Sequence, residues 1–77
     1  MDTGEVLNIW TMYWSPLDMP DHFVLRRHVV MKGVHGPSPE AYWCKDIEPL
    51  RDKMRERQLH CIPRQPGDEP HIVEVWL

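Results

Sequence analysis

Apolar and polar residues alternate along three segments of the chain, as they do in half-buried β-strands. Residues 7–14 are rich in β-branched and aromatic side chains, and in residues 22–32 one of the two alternating sets contains Arg26 and His28. A short loop with prolines and aspartates separates these segments, so we predict that they pair as an antiparallel hairpin. Residues 71–77 alternate in the same way and predict a further strand.

Residues 46–58 show instead the periodicity of an amphipathic helix. Ile47, Leu50 and Met54 recur at spacings of three and four, so we predict that the helix buries them against one face of the sheet. Asp46 suits the N-cap position. On the polar side, acidic and basic residues three positions apart predict three ion pairs: Glu48–Arg51, Asp52–Arg55 and Lys53–Glu56.

The remaining segments carry turn residues or short apolar runs. Glycines and prolines in residues 33–39 predict an irregular loop. Residues 41–45 and 59–64 are each compatible with a short strand or a loop, and residues 65–70 predict a turn. The predicted fold is therefore α+β, with a small antiparallel sheet of three or four strands packed on one helix. The predicted order is β-β-α-β, or β-β-α-β-β if residues 59–64 form a strand.

The composition is that of one globular domain. The chain has 77 residues, and we predict a single domain over residues 1–77 with residues 1–6 as a flexible N-terminus. An apolar share of 42 % argues against disorder, and no apolar run reaches the ~20 residues of a membrane span. The acidic start lacks the basic region of a signal peptide, and there are only two cysteines, so we predict a cytoplasmic protein with free thiols.

Tryptophan is unusually frequent, with four in the chain. Trp10, Met12 and Trp14 share one side of the first strand because side chains alternate. One helix covers one sheet face, so we predict that Trp14 and Arg26 are at least partly exposed and lie on one contiguous patch of the other face. Tryptophan and arginine dominate binding hot spots, although Trp10 and Trp76 could instead complete the core. The lead hypothesis is a non-enzymatic module that binds a larger protein through these candidate residues: Trp10, Trp14, Arg26, Arg27, His28, Arg51 and Arg55.

Both ends of the chain resemble a set of short bacterial and phage proteins. The shared residues are Ile9-Trp10-Thr11, Tyr13, Pro16, Asp18, Pro20-Asp21-His22-Phe23-Val24, Arg26-Arg27, Asp68, Pro70 and Ile72-Val73-Glu74-Val75-Trp76. Trp14 departs from that pattern, in which a polar residue is expected. The set has no assigned activity, so the resemblance implies a small compact domain. Together with the chain length, it leads to a specific hypothesis: an inhibitor of a host complex, encoded by a phage or mobile element and of the anti-CRISPR type.

Two other function classes stay open. All nine basic residues lie within residues 22–64, against five acidic ones, so the second hypothesis is a nucleic-acid-binding accessory protein. Its contacts would be basic side chains of that segment: Arg26, Arg27, Lys32, Lys45, Arg51, Lys53, Arg55 and Arg57. The third is a cysteine- or metal-dependent enzyme. Because Cys44 and Cys61 lack the spacing of paired zinc ligands and a nucleophile motif, we predict no bound metal, no cofactor and no catalytic thiol.

Overall fold

The computed structural model describes residues 6–31 and 33–77. Within them the chain forms one antiparallel five-stranded sheet and one helix, which confirms the α+β class. The elements are β1 (Val6–Trp14), β2 (Phe23–Met31), β3 (Val34–Cys44), α1 (Glu48–Glu56), β4 (Cys61–Pro63) and β5 (Ile72–Trp76). The observed order is β-β-β-α-β-β, because a third strand precedes the helix. Residues 1–5 of the predicted flexible N-terminus, and Lys32, lie outside the described residues.

The strands lie side by side in the order β3-β2-β1-β5-β4, and each neighbouring pair is antiparallel. The predicted hairpin of β1 and β2 is confirmed, with Val6 opposite Met31 and Trp14 opposite Phe23. β5 pairs with the other side of β1, so β1 is the central strand. β3 and β4 are consequently the two edge strands of the described sheet.

β3 occupies residues whose glycines and prolines predict a loop. Proline lacks the N–H group that a sheet ladder uses, so strands tolerate it at a sheet edge or at an irregularity. β3 offers both conditions, because it is an edge strand and its register against β2 shifts between Arg26 and His28. Pro37 lies opposite His28 and Ala41 lies opposite Arg26. The predicted loop over residues 33–39 is therefore wrong for all but its first residue.

α1 is shorter than predicted and begins without a side-chain cap. Its N-cap residue is Ile47 and not Asp46. A capping side chain normally accepts a hydrogen bond from the second or third helical N–H group. Here the second residue is Pro49, which has no N–H, and the third, Leu50, already donates to the Ile47 carbonyl at 3.1 Å. At the other end the helix stops where Gln58 adopts a left-handed conformation, with φ of 61°.

The buried core combines side chains from the helix and from the sheet. Leu50 and Met54 are 1 % and 0 % exposed, as the helical periodicity predicts. They form one cluster with four buried residues of the sheet: Trp10, Met12, Leu25 and Trp76. Ile47 is partly exposed and packs against this cluster. Because burying one such side chain contributes about 1.5–3 kcal/mol, the cluster is a major source of stability in so small a domain.

Candidate functional site

The register of the sheet sorts its side chains into two faces. Directly opposed residues of antiparallel strands project to the same face, and successive residues of a strand project to opposite faces. Trp10 lies opposite Arg27 of β2 and Trp76 of β5, whereas Ile9 lies opposite His28. We call the face with Trp10 the core face and the face with Ile9 the outer face.

The core face contains most of the buried side chains of the sheet. Besides Trp10, Arg27 and Trp76, its members are Val6, Asn8, Met12, Trp14, Phe23, Leu25, Val29, Met31, Tyr42, Cys44, Cys61, Pro63 and Glu74. Trp10 and Met12 are 2 % and 0 % exposed, so Trp10 completes the core and cannot be a contact residue of an exposed surface. Trp14, at the end of β1, is 41 % exposed, and its ring centroid lies 4.5 Å from that of Phe23. Trp10 is thus a core residue, and Trp14 keeps an accessible side.

Trp14 and Arg26 do not form the predicted contiguous patch. Both side chains are partly exposed, but Trp14 lies opposite Phe23 on the core face and Arg26 lies opposite Thr11 on the outer face. Because residue 14 pairs with residue 23, even-numbered residues of β1 share a face with odd-numbered residues of β2. Of the predicted contact residues in the hairpin, the structure brings Arg26 and His28 together and separates both from the tryptophans.

The outer face is mainly apolar. Its members are Leu7, Ile9, Thr11, Tyr13, Val24, Arg26, His28, Val30, Ala41, Trp43, Ile62, Ile72 and Val75. Ile72 lies opposite Tyr13 although Glu74 lies on the core face, because the register of β5 against β1 shifts between Met12 and Tyr13. Leu7 is 51 % exposed and Trp43 is 58 % exposed, Val24 is buried, and the others are half-buried. A contiguous set of accessible apolar side chains of this extent is typical of an interaction surface.

A loop contacts one end of the outer face. Asp18, in the loop between β1 and β2, forms an ion pair with Arg26, whose guanidinium lowers the pKa of the Asp18 carboxyl below its usual value. Both residues line a cavity of about 410 Å³ together with Tyr13, Pro16, Leu17, Glu69 and His71. Glu69 lies 4.0 Å from the His71 ring. The arginine of the lining, Arg26, is already engaged by Asp18.

Arg27 lies on the core face and is held by neighbours of the same chain. Its Nε donates to Asn8 Oδ1 at 2.8 Å, and its Nη1 donates to Glu40 Oε1 at 2.7 Å. The other Glu40 oxygen accepts from the Tyr42 hydroxyl at 3.3 Å and lies 3.8 Å from Arg57. The bond from Arg27, followed by those other contacts, lowers the pKa of Glu40. Arg27 is thus engaged in an internal network.

Two cations at the C-terminal end of α1 lie over aromatic rings. Arg57 Cζ is 4.9 Å from the centroid of Trp10, and Lys53 Nζ is 4.7 Å from the centroid of Tyr42. The two rings stack with their centroids 5.6 Å apart. Cation–π contacts at accessible sites contribute about 0.5–1 kcal/mol each. Lys53 thus lies beside Tyr42. The predicted pair Lys53–Glu56 is not among the ion pairs of the described residues.

Glu74 is the buried charged residue of the described chain, with 4 % exposure. Arg51 of α1 donates to its two carboxylate oxygens at 3.0 and 2.8 Å, and Trp76 Nε1 donates to it at 2.9 Å. Burial raises the pKa of Glu74, but the bonds from Arg51 and Trp76 outweigh burial and lower the pKa below its usual value. The same carboxylate raises the pKa of Arg51. Arg51 therefore holds a buried charge within the fold.

Arg55 also faces carboxylates of its own helix. It donates to Asp52 at 2.8 Å and to Glu48 at 3.4 Å, and Glu48 accepts from Arg51 at 2.8 Å. The predicted pairs Glu48–Arg51 and Asp52–Arg55 are confirmed. Every arginine proposed as a contact residue has an acidic partner in the same chain: Arg26, Arg27, Arg51 and Arg55.

The third hypothesis rests on the cysteines and on the other potential metal ligands. No group of three or more metal-binding side chains comes together in residues 6–31 and 33–77. Cys44 and Cys61 are free thiols. Burial, and then the charge of the Glu74 carboxylate, raises the pKa of Cys61, whereas a nucleophilic cysteine needs a lowered pKa. No helix in the same part of the chain has the length and apolar character that crossing a bilayer requires.

Sequence reasoning missed two features of the site. The first is the apolar character of the outer face, although the alternation along β1 groups Ile9, Thr11 and Tyr13 and was the signal for it. The prediction used the set of Trp10, Met12 and Trp14 instead, because tryptophan is frequent in this chain. Large aromatic side chains, however, occur in interfaces and in cores alike. The second is Glu74, whose place between two valines reads as ordinary alternation toward solvent. No local signal indicates its partner Arg51, which lies in another element.

No known protein family, curated protein or solved structure matches this chain.

Proposed function

We propose that the protein is a small, non-enzymatic protein-binding module whose contact surface is the outer face. The observation that carries this proposal is the apolar outer face opposite the helix. Leu50 and Met54 share the buried cluster with Trp10 of the core face, and Arg51 binds Glu74 on that same face. We therefore infer that α1 packs on the core face and leaves the outer face to solvent or to a partner.

An antiparallel sheet with one solvated face normally carries polar side chains on that face. Here the centre of the outer face carries Ile9, Tyr13, Val30 and Val75, which are half-buried in the isolated chain. A partner that packs against them would remove further apolar area from water, at about 25 cal/mol per Å². Association through the outer face would thus gain free energy from apolar burial.

The charge arrangement supports a protein partner over a nucleic acid. Binding to a phosphate backbone needs several cations that release counterions from the nucleic acid. Among the described arginines of the proposed basic patch, Arg51 and Arg55 are paired with carboxylates, and so are Arg26 and Arg27. Each of these arginines would have to leave an internal partner to contact phosphate. The hypothesis of an inhibitor of a host complex is the more specific form of this proposal, and it draws on size and resemblance alone.

Site-specific crosslinking tests the surface. A photoreactive amino acid at Thr11, in the centre of the outer face, should capture one predominant partner from a cell lysate, whereas the same group at Asp52 on α1 should not. Leu7→Asp and Thr11→Asp should then weaken binding of the captured protein about tenfold or more, since a charge would be buried in an apolar contact. Met31→Asp is the matched control, because Met31 is 43 % exposed and lies on the core face. Equal weakening by Met31→Asp, or capture only from Asp52, would contradict the proposal.

A further inference from the structure

A second surface lies at the edge of the sheet, where β3 runs beside α1. β3 pairs with β2 on one side, and no strand of the described residues pairs with its other side. The backbone N–H and C=O groups of such an edge are a template for another strand. The prolines and the register shift disturb the first half of β3, but residues 41–44 pair regularly with β2. The regular half is therefore competent to accept an added strand.

This half of β3 also forms a wall of a cavity of about 320 Å³. Residues 41–44 line it on the strand side, and Pro49, Leu50 and Lys53 line it from α1. Leu50 is buried and Trp43 is 58 % exposed, so the cavity has an apolar floor and an accessible rim. A groove between an edge strand and a helix is the arrangement in which added peptide strands bind, with side chains entering the groove at alternate positions.

Lys53 provides the charge of this groove, since it is the only charged residue in the lining. Its ammonium group lies 4.7 Å from the centroid of Tyr42, and the ion pairs of the described residues do not include it. This distinguishes Lys53 from Arg51 and Arg55 of the same helix, which are paired with carboxylates. The groove thus presents an apolar cavity beside a cation that lacks an acidic partner in the described chain.

We infer that this groove binds an extended peptide segment of a partner protein, which adds a strand to residues 41–44 of β3. The segment places an apolar side chain in the cavity and a carboxylate against Lys53. Main-chain hydrogen bonds supply affinity in this mode, and the cavity and the lysine supply the choice of sequence. The groove shares Ala41 and Trp43 with the outer face. Lys53 belongs to α1 alone, so a substitution of Lys53 tests the groove separately from the proposed role of the outer face.

Selection from a library of random linear peptides displayed on phage tests the inference. Purified protein should enrich peptides in which an apolar residue recurs at a fixed distance from Asp or Glu. A synthetic peptide of that sequence should slow amide hydrogen exchange at alternate residues of 41–44, because the added strand takes up the outward-pointing groups. Lys53→Glu should weaken this peptide about tenfold, since attraction becomes repulsion. Lys45→Glu makes the same charge change at an exposed residue outside the cavity and should have little effect.

Three results would overturn the inference. The first is that no peptide family is enriched, or that the enriched peptides protect amides of the outer face instead of residues 41–44. The second is that Lys53→Glu and Lys45→Glu weaken binding equally, which would mean attraction by net charge alone. The third is that residues 41–44 become protected without peptide as the protein concentration rises, which would assign the edge to a second copy of this chain.

Discussion

Replacing Arg51 by methionine tests how the fold holds the buried Glu74 carboxylate. In the native protein the guanidinium donates to both carboxylate oxygens, and Glu74 is 4 % exposed. Removing one partner of a fully buried ion pair costs about 3–5 kcal/mol, because the other charge stays desolvated. The Arg51 side chain is 30 % exposed, so water can reach this pair and replace part of the interaction. We therefore expect a loss of about 2–3 kcal/mol at neutral pH, a large fraction of the stability of a small domain.

The pH dependence of this stability loss shows whether the unpaired charge of Glu74 causes it. The pKa of Glu74 is below its ordinary value of 4.5, so its contribution is fully present above that value and is lost as the pH falls through the folded-state pKa. In Arg51→Met, Glu74 stays buried but loses the hydrogen bonds from Arg51, so the folded-state pKa of Glu74 rises above its ordinary value. As the pH falls, protonation of Glu74 removes the buried charge and so reduces the destabilisation of the variant. The stability difference between the two proteins should shrink between about pH 7 and about pH 3.5.

Urea unfolding followed by tryptophan fluorescence measures both effects. Arg51→Met combined with Glu74→Gln should lose only about 1 kcal/mol, since the neutral amide still accepts from Trp76 and no charge is buried. Arg55→Met is the matched control one turn further along α1. Its partners Asp52 and Glu48 have side chains 64 % and 59 % exposed, so its unfolding midpoint should stay within error. The reasoning fails if Arg55→Met and Arg51→Met are equally destabilised, or if the loss in Arg51→Met does not change with pH.

Further predictions concern the core and the thiols. Leu50→Ala should cost about 2–4 kcal/mol in urea unfolding because the side chain is 1 % exposed, whereas Leu17→Ala should leave the midpoint unchanged; equal midpoints would refute the core assignment. The Cys61 thiol should react with iodoacetamide more slowly than a free peptide cysteine at about pH 8, because its pKa is raised, and a faster reaction would contradict that shift. Cys44→Ser with Cys61→Ser should keep the native circular dichroism spectrum, and elemental analysis of the wild type should find less than one zinc per chain. Stoichiometric zinc that is lost together with the fold on chelation would overturn that prediction.

The sequence predicted those parts of the fold in which one local pattern determines the element. Alternation located β1, β2 and β5, and the helical periodicity located the buried residues Leu50 and Met54. β3 could not be predicted in the same way, since Gly36, Pro37 and Pro39 all argue against a strand. What permits the strand is its place at the edge of the sheet and the register shift opposite β2, and both are tertiary properties.

The candidate surfaces depended on register, which the sequence did not determine. Alternation sorted β1 correctly into one set with Trp10 and another with Ile9, but it could not tell which set of β2 lies beside each. A shift of one residue in the pairing exchanges the two faces. The loop of residues 15–22 is too long to impose a particular pairing by turn geometry alone. The sequence is therefore compatible with two registers, one that puts Arg26 on the face of Trp10 and one that puts it on the face of Ile9. The prediction used the first, and the structure has the second.

Internal pairing of the arginines affects what the surfaces of the protein can recognise. A fold this small has few buried apolar residues, and it uses Arg51 to hold Glu74 and Arg27 to hold Glu40. These arginines then add little net attraction for a distant partner, because each cation lies beside an anion and their fields largely cancel beyond a Debye length of about 8 Å. The proposed recognition at the outer face would consequently rest on apolar contact and shape. Lys53, unlike Arg51 and Arg55 of the same helix, has no ion pair among the described residues, so long-range selection by charge would belong to the proposed groove beside β3.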